Sequence, residues 1–213
     1  MRVAPAVALA AAAGAAFGCL QGTAKLPHEE AGQEKRLKFE TSDALKPDVL
    51  PYEAARLLLG GTEVPVTMSR KQTGESVTFS LTAHSETLEE EMYESNATGF
   101  RFAGATGETF KPAIPLVSYP FEVGESWDWT GTASLGPNTK SASAKLVSAS
   151  ETLNLATGVA ECVRVTASLT IDTGQGGVSK RELRFWFEPK KGMVRREFVM
   201  SSAREPRPPA DRS

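Results

Sequence analysis

Cysteine and histidine are scarce, with two of each in 213 residues. Side chains so few, at Cys19, His28, His84 and Cys162, cannot assemble a multi-ligand Cys/His metal centre or a disulfide framework, and neither a metal nor a cofactor is expected. Excess charge of one sign is also missing. The chain carries 24 Lys+Arg against 26 Asp+Glu, a net charge of -2, so no basic field draws in phosphate backbones and no nucleic-acid partner is expected. No glycine-rich loop follows a strand and opens a helix, which removes the support for nucleotide binding. Beyond the N-terminus there is no second long apolar run. What remains is ordinary for one globular domain: 40% apolar residues, and a length that buries roughly 70% of the unfolded surface.

The N-terminus reads as an address. Arg2 precedes an uncharged, alanine-rich run from Val3 to Gly18, the layout of a secretory signal whose apolar core is too short to span a bilayer. The run ends in Ala16-Phe17-Gly18-Cys19. That ending resembles the lipobox of bacterial lipoproteins, in which a small residue precedes a cysteine that is diacylated and becomes the first mature residue; leucine is usual where this chain has Ala16. The resemblance implies lipidation at Cys19, a membrane partner through that anchor, and a periplasm-facing place on the outer membrane. Plain secretion with cleavage after Ala24 is the alternative, since Gly22-Thr23-Ala24 also offers small residues at the required spacing. The expected organisation is a signal at 1–18, a solvated tether at 19–36, a single β domain at 37–203 and a disordered tail at 204–213.

Within the domain the periodicity is two. Val77, Phe79 and Leu81 alternate with Thr78, Ser80 and Thr82. Val163, Val165, Ala167 and Leu169 do the same against Arg164, Thr166, Ser168 and Thr170, as do Leu183, Phe185 and Phe187 against Arg184, Trp186 and Glu188. Strands with one dry and one wet face belong to antiparallel sheets. Asn96-Ala97-Thr98-Gly99, Gly174-Gln175-Gly176-Gly177 and Pro189-Lys190-Lys191-Gly192 supply the turns between them. One stretch departs from the pattern: Pro51 before Tyr52–Leu59 and Gly60-Gly61 after it predict a short helix near residues 51–59. The fold expected is mainly β, an antiparallel curved sheet forming a half-barrel or a barrel-like sandwich.

Tyr119-Pro120-Phe121-Glu122-Val123-Gly124-Glu125-Ser126-Trp127-Asp128-Trp129 resembles the "Y-P-L-x-V-G-x-x-W-x-[WY]" opening of exported bacterial β-rich domains of unknown function. Thr157–Val165 and the Trp186-Phe187-Glu188-Pro189-Lys190-Lys191-Gly192-Met193-Val194 hairpin continue that pattern. The resemblance implies a curved sheet and a distant similarity to half-barrel periplasmic lipoprotein carriers; it implies no activity.

No catalytic set is complete. Gly124-Glu125-Ser126-Trp127-Asp128 lacks the second glycine of a nucleophile elbow and leads into a strand rather than a helix. His84 reads as a surface residue, and Glu89, Glu90, Glu91 and Glu94 as a solvated strand face. Cys162 falls on the polar side of its strand. The expectation is a non-enzymatic binding module of the cell envelope for an apolar ligand or an envelope protein. Trp127, Trp129, Trp186 and Tyr119 are the candidate ligand-binding residues in a continuous aromatic-lined cavity, though tryptophans of this kind also serve as core anchors. The alternatives are a hydrolase of envelope material using two facing carboxylates, or an assembly subunit that pairs through an exposed sheet edge.

Overall fold

The computed structural model describes residues 37–59, 62–174 and 177–201. The signal at 1–18, Cys19, the tether at 19–36 and the tail at 204–213 lie outside the described residues. Among the described residues, thirteen strands and one single-turn helix make up the order: β1 (Lys38–Phe39), α1 (Ser42–Leu45), β2 (Ala54–Leu59), β3 (Thr62–Thr73), β4 (Ser76–Ala83), β5 (Glu86–Asn96), β6 (Gly99–Ala105), β7 (Glu108–Ser118), β8 (Phe121–Glu122), β9 (Ser126–Leu135), β10 (Asn138–Leu155), β11 (Gly158–Gly174), β12 (Gly177–Glu188) and β13 (Gly192–Ser201). Eleven strands form one antiparallel sheet in the order β13-β12-β11-β10-β9-β7-β6-β5-β4-β3-β2, curled into a half-barrel, and β1 pairs with β8 apart from it. The sheet is a meander in sequence order, with short links between most neighbouring strands. At the β4–β5 link His84 and Ser85 both take positive φ, 51° and 69°, the geometry a tight hairpin turn requires, and both are exposed.

The alternating residues do face inward. Val77, Phe79, Val163, Val165, Ala167, Phe185 and Phe187 are fully buried, with Leu81, Leu169 and Leu183 nearly so. Tyr93 sits among Phe79, Phe100 and Phe102 with ring centroids 5.0, 4.8 and 5.3 Å away, and Phe185 meets it edge-on at 6.5 Å. Each large side chain so buried stabilises the fold by roughly 1.5–3 kcal/mol, before the ring pairings add about 0.5–1.5 kcal/mol apiece.

The helix expected near residues 51–59 is a strand. β2 pairs with β3 from Ala54↔Thr67 to Leu59↔Thr62. An isolated helix of that length is marginal in water. As a strand, the segment places Ala55 and Leu57 against the apolar cluster of Val66, Met68, Leu81 and Ala83. The helical turn lies upstream, in a segment that closes one end of the half-barrel. There Leu45 is fully buried, Val123 N donates to Leu37 O (2.9 Å), Lys190 N to Ala44 O (2.9 Å), Met193 N to Val49 O (2.9 Å) and Met68 N to Glu53 O (2.6 Å). Arg70 adds hydrogen bonds of 2.6 Å to the carbonyl and the carboxylate of Asp48. This plug ties β8, the β12–β13 turn and β3 together.

The two halves of the sheet meet over a short ladder. β7 pairs with β9 only from Glu108↔Leu135 to Lys111↔Thr132. Pro112 follows, and neither it nor Pro115 has an N–H to give.

Candidate functional site

Trp127 and Trp129 stand where β7 parts from β9. The Trp129 indole N–H donates to Pro112 O (3.1 Å) and that of Trp127 to Pro115 O (2.9 Å), so side chains replace the missing backbone ladder. Trp129 is buried against Phe110 at 6.0 Å, while Trp127 is half-buried against Phe121 at 6.1 Å. Tyr119 is half-buried, and its hydroxyl, buried without a hydrogen-bond partner, has its pKa raised by burial and then by Asp48 and Asp43. Trp186 is elsewhere. It lies on the convex face, opposite in alternation to Phe185 and Phe187, where it is buried with Leu153, Ala160 and Cys162, under the Arg195 guanidinium 5.0 Å from its ring. The four candidates therefore do not line one surface. Cys162 is a buried free thiol whose pKa is pushed up to about 11, by burial first and then by Glu188.

The continuous cavity is not what the concave face holds. Its middle is filled by the protein's own aromatic side chains around Tyr93. Space opens where the curl of the sheet brings β12 and β13 up to β5, β6 and β7. This slit has a volume of about 210 Å³ and is lined by Phe102, Ala105, Leu183, Phe198 and Val199 with Glu89, Thr106, Glu108 and Arg181. It lies at the opposite end of β12 and β13 from the plug. An apolar cavity of about 150 Å³ suffices for a benzene ring, which sets the scale for what enters. Phe198 is 37% exposed over the slit and packs on Phe102 (5.7 Å) and Phe185 (5.9 Å) beneath it.

Charge is placed sparingly here. Arg181 on β12 donates from Nη1 to Glu108 Oε2 on β7 at 2.6 Å, a pair that spans the slit with side chains 18% and 13% exposed. Nearby, Glu91 contradicts the solvated-face expectation: its side chain is 1% exposed. Glu91 shares the parity of Tyr93, so strand alternation turns it inward, where it accepts from Arg196 Nε on β13 and from Tyr93 OH (2.8 Å). Arg196 Nη1 also reaches Met68 Sδ at 3.8 Å. Burial pushes the Glu91 carboxyl above its usual range against the pull of Arg196. For Arg196 burial opposes the charge and is outweighed by Glu91 and Tyr93 together, so it stays cationic.

The sequence held a signal for Glu91 in its alternation with Tyr93. It held none for Arg181, Glu108 and Phe198, which meet only because the sheet curls. Among the described residues no cluster of His, Cys, Asp or Glu is arranged to hold a metal ion, and no helix is long and apolar enough to cross a membrane. The acids near Trp127 are not paired across a cleft: Glu125 and Asp128 face solvent. Set against known proteins, the chain matches no family model, no curated protein and no solved structure.

Proposed function

We propose that the chain is an exported cell-envelope lipoprotein, anchored through Cys19, that acts without catalysis as a binding module for a small apolar ligand. The observation that carries the reading is the slit. A half-exposed phenylalanine roofs an aromatic and aliphatic floor, where water contacts of Phe198 and Val199 would be exchanged for ligand contacts. The volume of the slit suits a ring or a short chain. The export signal and the Cys19 motif support the location.

Native mass spectrometry of the full chain, expressed in a bacterial host with its own N-terminus and extracted from membranes, tests both parts. The expected result is a mass for a chain beginning at acylated Cys19, together with an apolar molecule of a few hundred daltons that is lost from a Phe198→Asp variant. An unacylated chain starting near Lys25 with nothing bound would overturn both.

A further inference from the structure

We propose that the slit recognises the head of its ligand as a neutral alcohol, held between Arg181 and Glu108 as in the glycerol end of a monoacylglycerol. This deepens the reading above and rests on it. The ion pair across the slit uses Arg181 Nη1 and Glu108 Oε2, and leaves Arg181 Nε and Glu108 Oε1 buried without hydrogen-bond partners. The donor and the acceptor left over belong to two residues that face one another over the same space. A buried donor or acceptor without a partner is costly to the fold, so a ligand group that satisfies both is favoured at this point above any other in the slit.

Which head group does so follows from its donors and acceptors. A carboxylate accepts only, and meets the negative charges of Glu89 and Glu108 against the single, already paired Arg181. An ammonium donates only; it cannot receive the Nε–H and is repelled by the guanidinium. A bare hydrocarbon leaves both groups as they are. A hydroxyl accepts from Nε and donates to Oε1, and two neighbouring hydroxyls do so with less demand on geometry. The remainder of the lining, Phe102, Leu183, Phe198 and Val199, takes the chain.

The test is calorimetric titration of the full-length chain, made by cell-free synthesis without detergent or acylation, with octanoylglycerol, octanoate, octylammonium and free glycerol. The expected order places octanoylglycerol at least about tenfold tighter than the two ions, the size of one hydrogen bond to a charged partner, with glycerol alone not binding. In Glu108→Gln the octanoylglycerol affinity falls about tenfold while that of octanoate rises, a reversal that misfolding cannot produce. Arg181→Lys keeps the charge, lacks Nε, and is expected to lose the alcohol preference as well. Octanoate or octylammonium binding as tightly as octanoylglycerol would overturn the head-group assignment and leave the apolar site standing. Failure of every octyl compound would overturn both, and glycerol binding as well as octanoylglycerol would overturn the apolar reading alone. An unchanged preference in both variants would remove Arg181 and Glu108 from the site.

Discussion

Replacing Arg196 by methionine isolates the interaction that fixes the free end of the sheet. Among the described residues β13 has no strand beyond it, and Arg196 reaches from it to Glu91 on β5 and Met68 on β3. In Arg196→Met the new side chain still packs toward Met68, but the Glu91 carboxylate, 1% exposed, keeps only the Tyr93 hydroxyl. Removing one member of a buried ion pair costs about 3–5 kcal/mol, because the remaining charge is left in a poorly polarisable surrounding. For a domain of this size that is a fall in Tm of about 6–20 °C.

The pH dependence gives the sign. Burial already holds the folded-state Glu91 pKa above the value in the unfolded chain, so the folded form binds the proton more tightly. That contribution to stability is complete below the ordinary carboxylate range and is lost as pH rises through the folded pKa. Without Arg196 to pull it down, the folded pKa rises further, and the variant's deficit widens between about pH 5 and pH 7. Urea unfolding followed by tryptophan fluorescence at both pH values measures it. A loss under about 1 kcal/mol at pH 7, or an equal loss at pH 5, would refute the reasoning. The double variant Glu91→Met with Arg196→Met is expected to return to within about 2 kcal/mol of the native chain, the remaining deficit being that of the buried Tyr93 hydroxyl left without its acceptor.

Trp129→Phe is expected to cost about 1–2 kcal/mol, because the Pro112 carbonyl loses its indole donor where no backbone ladder can replace it; thermal unfolding reads this directly, and an unchanged Tm would reassign the indole. Gly192→Ala should destabilise by about 2 kcal/mol or more, since Gly192 has φ 119° and an added Cβ would lie 2.2 Å from Val49 O, displacing the plug; increased proteolysis between residues 37 and 53 is the accompanying signature. With its pKa pushed up to about 11, the Cys162 thiol carries about one thiolate in a thousand at pH 8, so thiol reagents are expected to label it only on unfolding. Labelling of the native chain at the unfolded rate would contradict that placement.

The sheet was legible because period-two alternation needs no partner to be seen: Phe79, Val165 and Phe185 announce their face by their neighbours alone. The turns were legible for a similar reason, since each is encoded in two to four adjacent residues. The stretch at 51–59 was not, because proline before and glycine after suit a hairpin as well as a helix, and only pairing with β3 decides between them. Trp186 and Cys162 obey the alternation yet are buried, as a small cluster on the convex face covers what the pattern leaves wet. The site was the least legible part. Arg181 and Glu108 lie 73 positions apart, and their encounter depends on the accumulated curl of the strands between them, which no local spacing records.

That curl is held at two places, and the slit lies beyond the second of them, at the far end of β12 and β13 from the plug. At one end of β12 and β13 the plug ties the Pro189 turn to α1 and β3 through backbone hydrogen bonds; midway, Arg196 ties β13 to β5 through a buried ion pair. Beyond Arg196, Phe198 and Val199 emerge at the surface, 37% and 44% exposed. The roof of the slit is thus supported by the packing of Phe198 on Phe102 and Phe185 and, two residues before it, by the Arg196 ion pair. Loosening the support should therefore change the ligand before it changes the fold: in Arg196→Met, at a temperature where the chain is still folded, octanoylglycerol is expected to bind more weakly with a larger loss of heat on binding. Native-like affinity in that variant would show that β13 is held in place by its pairing with β12 alone.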